Sequence, residues 1–477
     1  MPPPPSPPVS RLLLIALAGG ALAACHTLPE KPAPIAAVGP EELGWRREHD
    51  IDLDLYAPVA ERPGQAADVT VIVAISGGGM RAAHFGVGVL KELEESIDLG
   101  RYPRARGRTL LQEVDYFSTV SGGGLAAGAY LSALHDMPAD QRDSFRLGQA
   151  LAHGNPALAG LAHNYHVNLV FSPVDGLPVF EREMRADSLE EAIDDYALGA
   201  KARGRSLTYG DIFARPGTAP ALPYWFANAT LVGTGVGFRF APAELAALKL
   251  TGYFDNQVVT PVLAADDLHR PPLELARIFA MPLAVGATAS ASFPGIIPAT
   301  TLLTAVDPAR PYVHLLDGGV SDNLGYRTAL EIFKKTPTPG QLLIVIDAFA
   351  GRPSPFSAQI RPPHWFEQVA NAGTLPLASA RAHMRDDLDR AKALDPQALG
   401  HLAYVIIDFD LLASHAGDDP EAVADRALAA QARRIGTWFD SNESDRKILQ
   451  EVARRCVARS AGELQRALET AFGKPVN

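Results

Sequence analysis

The chain has 477 residues, of which 47% are hydrophobic and 20% charged, as expected for a globular protein of one large domain or two to three ordinary ones. Its net charge of −11 and the lack of a Lys/Arg-rich run argue against a nucleic-acid partner and against broad electrostatic docking on anionic lipid. With only two cysteines, Cys25 and Cys456, a disulfide framework is excluded.

Residues 1–24 are predicted to be a signal peptide. The apolar run 12–22 has the length of a signal-peptide core and is too short to span a bilayer. Residues 22–25 (LAAC) resemble a bacterial lipobox, which makes Cys25 the predicted site of lipidation. The alternative is an ordinary secretory signal with a cysteine near its end. By resemblance to lipoproteins of double-membrane bacteria, His26 in place of Asp implies sorting to the outer membrane, facing the periplasm or the cell surface.

Residues 25–66 are rich in Pro, Ala and charge, and we interpret them as a tether and lead-in. A catalytic domain is predicted over 67–350. It begins with the β-branched run 69–75, which is typical of a strand buried on both faces. Apolar residues at helical spacing over 87–97 predict a helix after the glycine turn.

The glycine turn itself is the first chemical motif, residues 76–81 (SGGGMR). Consecutive glycines at the start of a helix let backbone N–H groups converge on one point, which suits an oxyanion of acyl transfer. Residues 77–82 also satisfy a loose dinucleotide-binding fingerprint. That alternative requires an acidic residue at the end of the second strand, where Ser121 stands instead.

The second motif is Ser121, placed between a predicted strand, 114–120, and a predicted helix, 125–134. A serine flanked by glycine at such a junction is the arrangement of a nucleophile elbow. Thr119 departs from the usual pattern, which has glycine there, and a β-branched side chain is expected to crowd the turn. The alternative is a strand-to-helix loop with a capping serine.

The rest of the chain predicts a mainly parallel α/β sheet. Short apolar strands are expected at 224–231, 342–348 and 402–409. Residues 137–215 lack a comparable strand signal and are interpreted as helices and loops forming a lid. A C-terminal extension, 351–477, is predicted to pack on the catalytic domain and to be helical over 419–472.

The third motif is residues 317–323 (DGGVSDN), in which Asp317 follows the apolar stretch 312–316 and leaves the end of a strand. The alternative is a solvated Asp-Gly hairpin turn. A calcium loop fits poorly, because the spacing of oxygen ligands fails.

Together the three motifs resemble the patatin-like phospholipases, and the glycine loop is especially close to the cytosolic phospholipase A branch. Two weaker blocks, 228–235 and 289–298, extend the resemblance over about residues 69 to 350. It implies a patatin-like α/β fold with a mainly parallel sheet flanked by helices, and a serine hydrolase acting on phospholipids or lysophospholipids. The reaction that it implies uses no cofactor and no metal.

The resemblance also assigns roles to residues. Ser121 is the expected nucleophile and Asp317 its base, with no histidine taking part. The oxyanion hole is expected from Gly77, Gly78 and Gly79, and Arg81 is expected to contact a phosphate headgroup. The alternative role for Arg81 is to orient the glycine loop.

Histidines offer a competing catalytic arrangement. His415 follows the last predicted strand, where an ordinary Ser-Asp-His hydrolase would place its base. His84 follows the glycine loop and could donate to an oxyanion. Both are interpreted as surface or packing residues. His163 and His166 lack nearby acidic or cysteine ligands for zinc.

Two other functions stay open at this point. The chain could be an esterase or acyltransferase on non-phospholipid esters, or an inactive lipid-binding lipoprotein, which Thr119 would favour. The expected partners are the lipid substrate and a membrane reached through the N-terminal anchor. The oligomeric state is left undetermined.

Overall fold

The core of the protein is a nine-stranded sheet whose central strands are short, apolar and fully buried. Its strands are β1 (Val69–Ile75), β2 (Tyr116–Val120), β3 (Tyr224–Leu231), β4 (Gly237–Phe240), β5 (Leu250–Tyr253), β6 (Thr300–Thr304), β7 (Tyr312–Asp317), β8 (Gly340–Asp347) and β9 (Leu402–Asp408). This computed structural model describes residues 66, 68–107, 109–168, 184–213, 222–253, 275–294, 296–304, 312–350 and 375–476. The predicted signal peptide, Cys25 and almost all of the tether lie outside these residues.

Strand order in the sheet is β5-β6-β7-β3-β2-β1-β8-β9, with β4 paired to β3. The five neighbouring strands β3, β2, β1, β8 and β9 pair in parallel, as the continuous apolar segments predict. The other pairs are antiparallel: β4 and β7 with β3, β6 with β7, and β5 with β6. The predicted class, a mainly parallel α/β sheet flanked by helices, is therefore confirmed, with an antiparallel edge in addition.

Eight helices of eight or more residues lie in the part of the chain that the structure describes. They are α1 (Gly79–Ser96), α2 (Gly122–His135), α3 (Met184–Ala192), α4 (Leu283–Ala291), α5 (Tyr326–Lys335), α6 (Leu375–Leu394), α7 (Pro420–Arg434) and α8 (Glu443–Phe472). Short helices occupy Leu110–Glu113, Leu147–Ala152, Pro156–Gly160, Tyr165–Asn168, Ala200–Arg203, Tyr209–Ile212, Pro242–Ala247, Leu275–Phe279, Gly319–Asp322, Pro396–Leu399 and Asp410–Ala413. None of the helices in the described ranges is both long and apolar enough to cross a bilayer.

The helices follow the predicted order closely. The first long helix begins at Gly79, within the glycine turn, and packs against α2. The second predicted strand begins two residues late, at Tyr116, because Val114 caps the short helix Leu110–Glu113.

The C-terminal part belongs to the same architecture as the strands before it. β9 extends the sheet beyond β8, and α8 packs on both α1 and β9. Asp50–Asn477 forms one compact unit. The loop between α7 and α8 consequently comes to lie beside the glycine turn, as the hydrogen bonds below show.

Candidate active site

Ser121 has the backbone geometry of a nucleophile elbow. It lies between the end of β2 and the first residue of α2, with φ 50° and ψ −125°. Among the described non-glycine residues only Ser121 and Lys249 have a positive φ. A side chain in this region is strained, and such strain persists only where the surrounding structure holds it. The Ser121 N–H is held by the Ser290 hydroxyl oxygen at 2.9 Å.

Glycine at position 122 is required by a close approach between the elbow and the glycine turn. A Cβ atom on Gly122 would overlap the carbonyl oxygen of Gly79. A Cβ atom on Gly123 would lie 2.6 Å from the carbonyl oxygens of Ile75 and Ser76. Backbone atoms cannot move away as a flexible side chain can. The two motifs predicted separately from the sequence therefore form one packed unit.

Thr119 does not disrupt the elbow, contrary to the expected crowding. It lies wholly buried within β2, paired with Ile75 on one side and Ala227 on the other. Its hydroxyl oxygen accepts a 2.7 Å hydrogen bond from the indole N–H of Trp225. A Cβ atom on Gly124 would be only 3.3 Å from this hydroxyl, so the glycine makes room for it.

Strand register brings Asp317 to the level of Ser121. On β3, Asn228 pairs with Val120, which directly precedes Ser121, and the next residue, Ala229, pairs with Asp317. Asp317 is the last residue of β7, as its motif predicted, and β7 runs antiparallel to β3. The pairing across β3 therefore places Ser121 and Asp317 beside the same two residues, Asn228 and Ala229.

Burial sets the protonation behaviour of Asp317. It raises the pKa of this carboxyl to about 6, while hydrogen bonds from the Gly319 N–H and the Ser121 side chain act in the opposite direction. The Gly319 N–H lies 2.7 Å from Oδ1. A carboxylate with a raised pKa is a better proton acceptor than an exposed one, as general-base chemistry near neutral pH requires.

Ser290 is a residue whose position in the site the sequence alone did not reveal. Its hydroxyl accepts from the Ser121 N–H and donates to the carbonyl oxygen of Asn228 at 2.6 Å. Its own carbonyl oxygen accepts from the Gly318 N–H at 3.3 Å. Ser290 thus ties the elbow, β3 and the Asp-Gly-Gly turn together. The sequence signal that could have identified Ser290 was its place in the block 289–298, which contributed to the family resemblance.

The glycine turn contributes fewer free N–H groups than expected. The Gly77 N–H donates to the carbonyl oxygen of Asn323 at 3.0 Å, so it cannot be an oxyanion donor in this arrangement. Gly78 and Gly79 have φ values of 144° and 56°, which favour glycine. The expected oxyanion hole therefore narrows from three glycines to Gly78 and Gly79. Gly77 stays close, since its Cβ position is 3.4 Å from the Ser121 Cβ atom.

Arg81 is placed differently from a headgroup ligand. Its side chain is buried, with only 4% of the residue exposed. Nε donates to the carbonyl oxygen of Ala348 and a terminal nitrogen donates to that of Ile435, each at 2.8 Å. These contacts fit the alternative interpretation, in which Arg81 holds the glycine turn in place.

No histidine of the described residues hydrogen-bonds to Ser121 or Asp317. The Nε2 atom of His84 lies 2.8 Å from the Ser441 hydroxyl, and burial lowers the pKa of this imidazole to about 4. His415 pairs with the buried carboxylate of Asp425 at 2.8 Å. The structure therefore does not bring either histidine to Ser121 or Asp317.

His163, one of the two histidines considered for zinc, has partners other than a metal. His163 hydrogen-bonds to Asn168 at 2.8 Å and stacks on Tyr196 with ring centroids 3.7 Å apart. Within the described ranges no group of three or more His, Cys, Asp or Glu side chains could hold a metal ion.

Comparison with known proteins places the chain in a family. The family model described as Patatin-like phospholipase matches residues 73–330, which is more than half of the chain. A search among curated proteins gave no match. A search among solved structures matched human GIVD cytosolic phospholipase A2 at 15% identity and a TM-score of 0.36, over 93% of this chain and 69% of that one.

Two further structures of that human protein match at 15% identity, each over 93% of this chain and 66% of that one. One is its complex with methyl gamma-linolenyl fluorophosphonate, at a TM-score of 0.36. The other contains this inhibitor and terbium chloride, at 0.38. The match over residues 73–330 includes the glycine turn, the serine elbow and the Asp-Gly-Gly turn, and the chain is a member of the patatin-like phospholipase family.

Proposed function

We propose that the protein is a serine acyl hydrolase that cleaves fatty-acyl esters of phospholipids or lysophospholipids with a Ser121–Asp317 dyad. The observation that carries this proposal is the buried pair itself. Ser121, whose backbone is strained, directly follows the end of β2. Asp317, whose carboxyl has a raised pKa, is paired with β3 at Ala229, one residue beyond the partner of Val120. An inactive lipid-binding lipoprotein would have no need of this strain.

In the proposed mechanism Asp317 accepts the proton of the Ser121 hydroxyl as Oγ attacks the acyl carbonyl carbon. The N–H groups of Gly78 and Gly79 donate hydrogen bonds that stabilise the negative charge on the carbonyl oxygen. Collapse of the tetrahedral intermediate expels the alcohol, which takes the proton from Asp317. Water then attacks the acyl-enzyme and gives its proton to Asp317. Collapse of the second tetrahedral intermediate releases the fatty acid, and the departing Oγ of Ser121 takes that proton back from Asp317.

Labelling of Ser121 by a lipid-like fluorophosphonate tests the nucleophile and its base together. The labelling rate should rise with pH through about 6 and level off above about 7, because only ionised Asp317 can accept the serine proton. Peptide mapping should find the adduct on Ser121, and Ser121→Ala should remove it. A profile that titrated at the same pH in Asp317→Asn would assign the base to another group.

A substitution of Arg81 tests whether this residue supports the glycine turn or contacts a phosphate headgroup. Because two of its nitrogens donate to backbone carbonyls, Arg81→Ala should lower kcat/KM by about 10- to 100-fold, the expected cost of buried groups left without partners. The loss should be equal for a phospholipid and for a neutral p-nitrophenyl ester. A loss confined to the phospholipid would restore the headgroup contact predicted from the resemblance.

We also propose that Cys25 carries the lipid anchor and that the protein resides at the outer membrane. The motif at residues 22–25 supports this. The mature chain should begin at Cys25 and sediment with membranes, and Cys25→Ser should release it or block its processing. Recovery of a soluble periplasmic chain with an unmodified Cys25 would contradict the anchor.

A further inference from the structure

Asn323, the last residue of the third motif, lies between the glycine turn, the serine elbow and the proposed base. Its carboxamide oxygen is 2.5 Å from the Cβ position of Gly77, and that position is 3.4 Å from the Ser121 Cβ atom. The same oxygen is 2.8 Å from the Cβ position of Gly319, which is 3.0 Å from Oδ1 of Asp317. The Asn323 side chain therefore lies against both turns and close to both residues of the proposed dyad.

Hydrogen bonds on both sides hold the backbone that carries Asn323. Its own carbonyl oxygen accepts the Gly77 N–H at 3.0 Å. The buried carboxylate of Asp322, the residue before it, accepts the N–H groups of Leu324 and Arg327 at 3.0 and 2.9 Å. The carboxamide is consequently held in place before any ligand binds, as a donor to a developing charge must be.

The carboxamide of Asn323 has no hydrogen-bond partner among the residues that the structure describes. This is unusual for a residue that is only 7% exposed. The amide atoms do not belong to the described side-chain atoms that are sealed from solvent without a partner. The carboxamide is therefore unpaired but reachable, and its two N–H donors are available to a ligand.

The neighbouring asparagine, Asn228, shows the opposite arrangement. It is equally buried, and its amide oxygen accepts from the Thr328 hydroxyl at 2.7 Å. Its amide nitrogen donates to the Ser118 hydroxyl and to the Thr119 carbonyl oxygen, each at 3.0 Å. Both N–H groups of Asn228 are thus used to hold the strands together, whereas those of Asn323 are left for another role.

The chemistry of the site indicates what that role is. Because the Asn323 carbonyl takes the Gly77 N–H, the glycine turn keeps only Gly78 and Gly79 as proposed oxyanion donors. Asparagine amides are among the side chains that supply such donors. A neutral amide also adds no charge beside Asp317, so the raised pKa of that carboxyl is still set by burial.

We propose that Asn323 is the third donor of the oxyanion hole and that its carboxamide N–H takes the place of the Gly77 N–H. This assignment rests on the proposed function. One N–H group of the amide donates a hydrogen bond to the negative oxygen of each tetrahedral intermediate, beside Gly78 and Gly79, and no proton is transferred. Because the ester oxygen carries that charge only after attack, the contact acts on kcat rather than on KM.

Steady-state kinetics of the full chain on a soluble short-chain ester tests the donor. Asn323→Ala should lower kcat by about 100-fold and keep KM within about threefold, as expected for a group that meets the oxyanion alone. Asn323→Leu, which keeps the size of the side chain and removes the amide, should lose as much. Asn155→Ala is the matched control, because the Asn155 carboxamide caps a short helix at Ala157 and Leu158, and its kcat should be that of the parent. Parent-like kcat in both Asn323 variants, or a loss carried by KM, would overturn the proposal.

Two inhibitors distinguish donation to an oxyanion from mere support of the glycine turn. When Ser121 Oγ adds to the carbonyl carbon of a fatty-chain trifluoromethyl ketone, its proton passes to Asp317 and the ketone oxygen becomes negative. An ether of the same chain length binds without forming that charge. In Asn323→Ala the inhibition constant of the ketone should rise by about the factor by which kcat/KM falls, and that of the ether should stay within about threefold. Equal weakening of both inhibitors would make Asn323 a support of the turn and overturn the proposal.

Ser121→Ala, measured beside these variants, separates this inference from the proposed function. If Ser121→Ala kept the kcat of the parent, the proposed function would fail and the role of Asn323 with it. If kcat depended on Ser121 but not on Asn323, only the third donor would be wrong. The expected result is that kcat falls in both, and that the ketone loses affinity in both.

Discussion

Ser121→Ala and Asp317→Asn should each lower kcat/KM by about 10³-fold or more, and the double variant should be little worse than either, because the two residues act as one unit. In the proposed dyad the buried Asp317 is the base, and the side chain of Ser121 acts to lower the pKa that burial raises. The measurement is steady-state kinetics on one soluble ester, with all three variants prepared as the full chain. Losses that multiplied in the double variant would mean that the two side chains act independently.

Histidine variants are the matched controls for the dyad. His415→Ala and His84→Ala should stay within about tenfold of the parent, because their partners are Asp425 and Ser441 rather than the dyad. A loss at His415 as deep as that at Ser121 would replace the dyad with a histidine triad.

Asp317→Asn should lower activity but raise the stability of the folded protein above neutral pH. In the unfolded chain Asp317 ionises near its ordinary pKa of about 4, whereas burial raises its pKa to about 6 in the folded protein. The parent therefore loses stability as pH rises from about 4 through about 6, and this loss persists at higher pH. Asp317→Asn has no such charge, so at pH 8 it should melt at a higher temperature than the parent.

Gly122→Ala should lower kcat by about 100-fold, the cost typical of moving catalytic groups about 1 Å out of position. The added Cβ atom would overlap the Gly79 carbonyl oxygen, so the elbow and the glycine turn must separate. This separation moves Ser121 away from the proposed oxyanion donors and should also destabilise the fold by about 1–3 kcal/mol. Kinetics and thermal melting of the full chain measure the two effects.

Substitutions of two other glycines are the controls, because they distinguish the displacement of Ser121 from an unspecific effect of adding a methyl group. A Cβ atom on Gly233, in the turn after β3, meets nothing within 4 Å, so Gly233→Ala should match the parent in both activity and melting temperature. Gly77→Ala should be intermediate, because its Cβ position lies 2.5 Å from Oδ1 of Asn323, a side chain that can shift. Parent-like turnover in Gly122→Ala would show that the elbow and the turn are not packed together in this way.

The sequence by itself determined the central strands and the positions of the two residues proposed to react. β1 and β3 match the predicted 69–75 and 224–231 at both ends, and Ser121 and Asp317 lie where their motifs indicated. These features depend on short windows. An unbroken apolar run is buried on both faces whatever surrounds it, and glycines beside a strand end allow the turn that a nucleophile requires.

Only the tertiary structure decided the roles of residues whose partners lie far along the chain. The carbonyl groups held by Arg81 are 267 and 354 residues away, so the motif alone could not distinguish a headgroup ligand from a support of the turn. The Gly77 N–H is likewise taken by Asn323, and the Ser121 N–H by Ser290. Every buried N–H and C=O needs a partner, and the path of the whole chain decides which one it finds. That path brings the loop Ile435–Ser441, from the C-terminal extension, against the glycine turn.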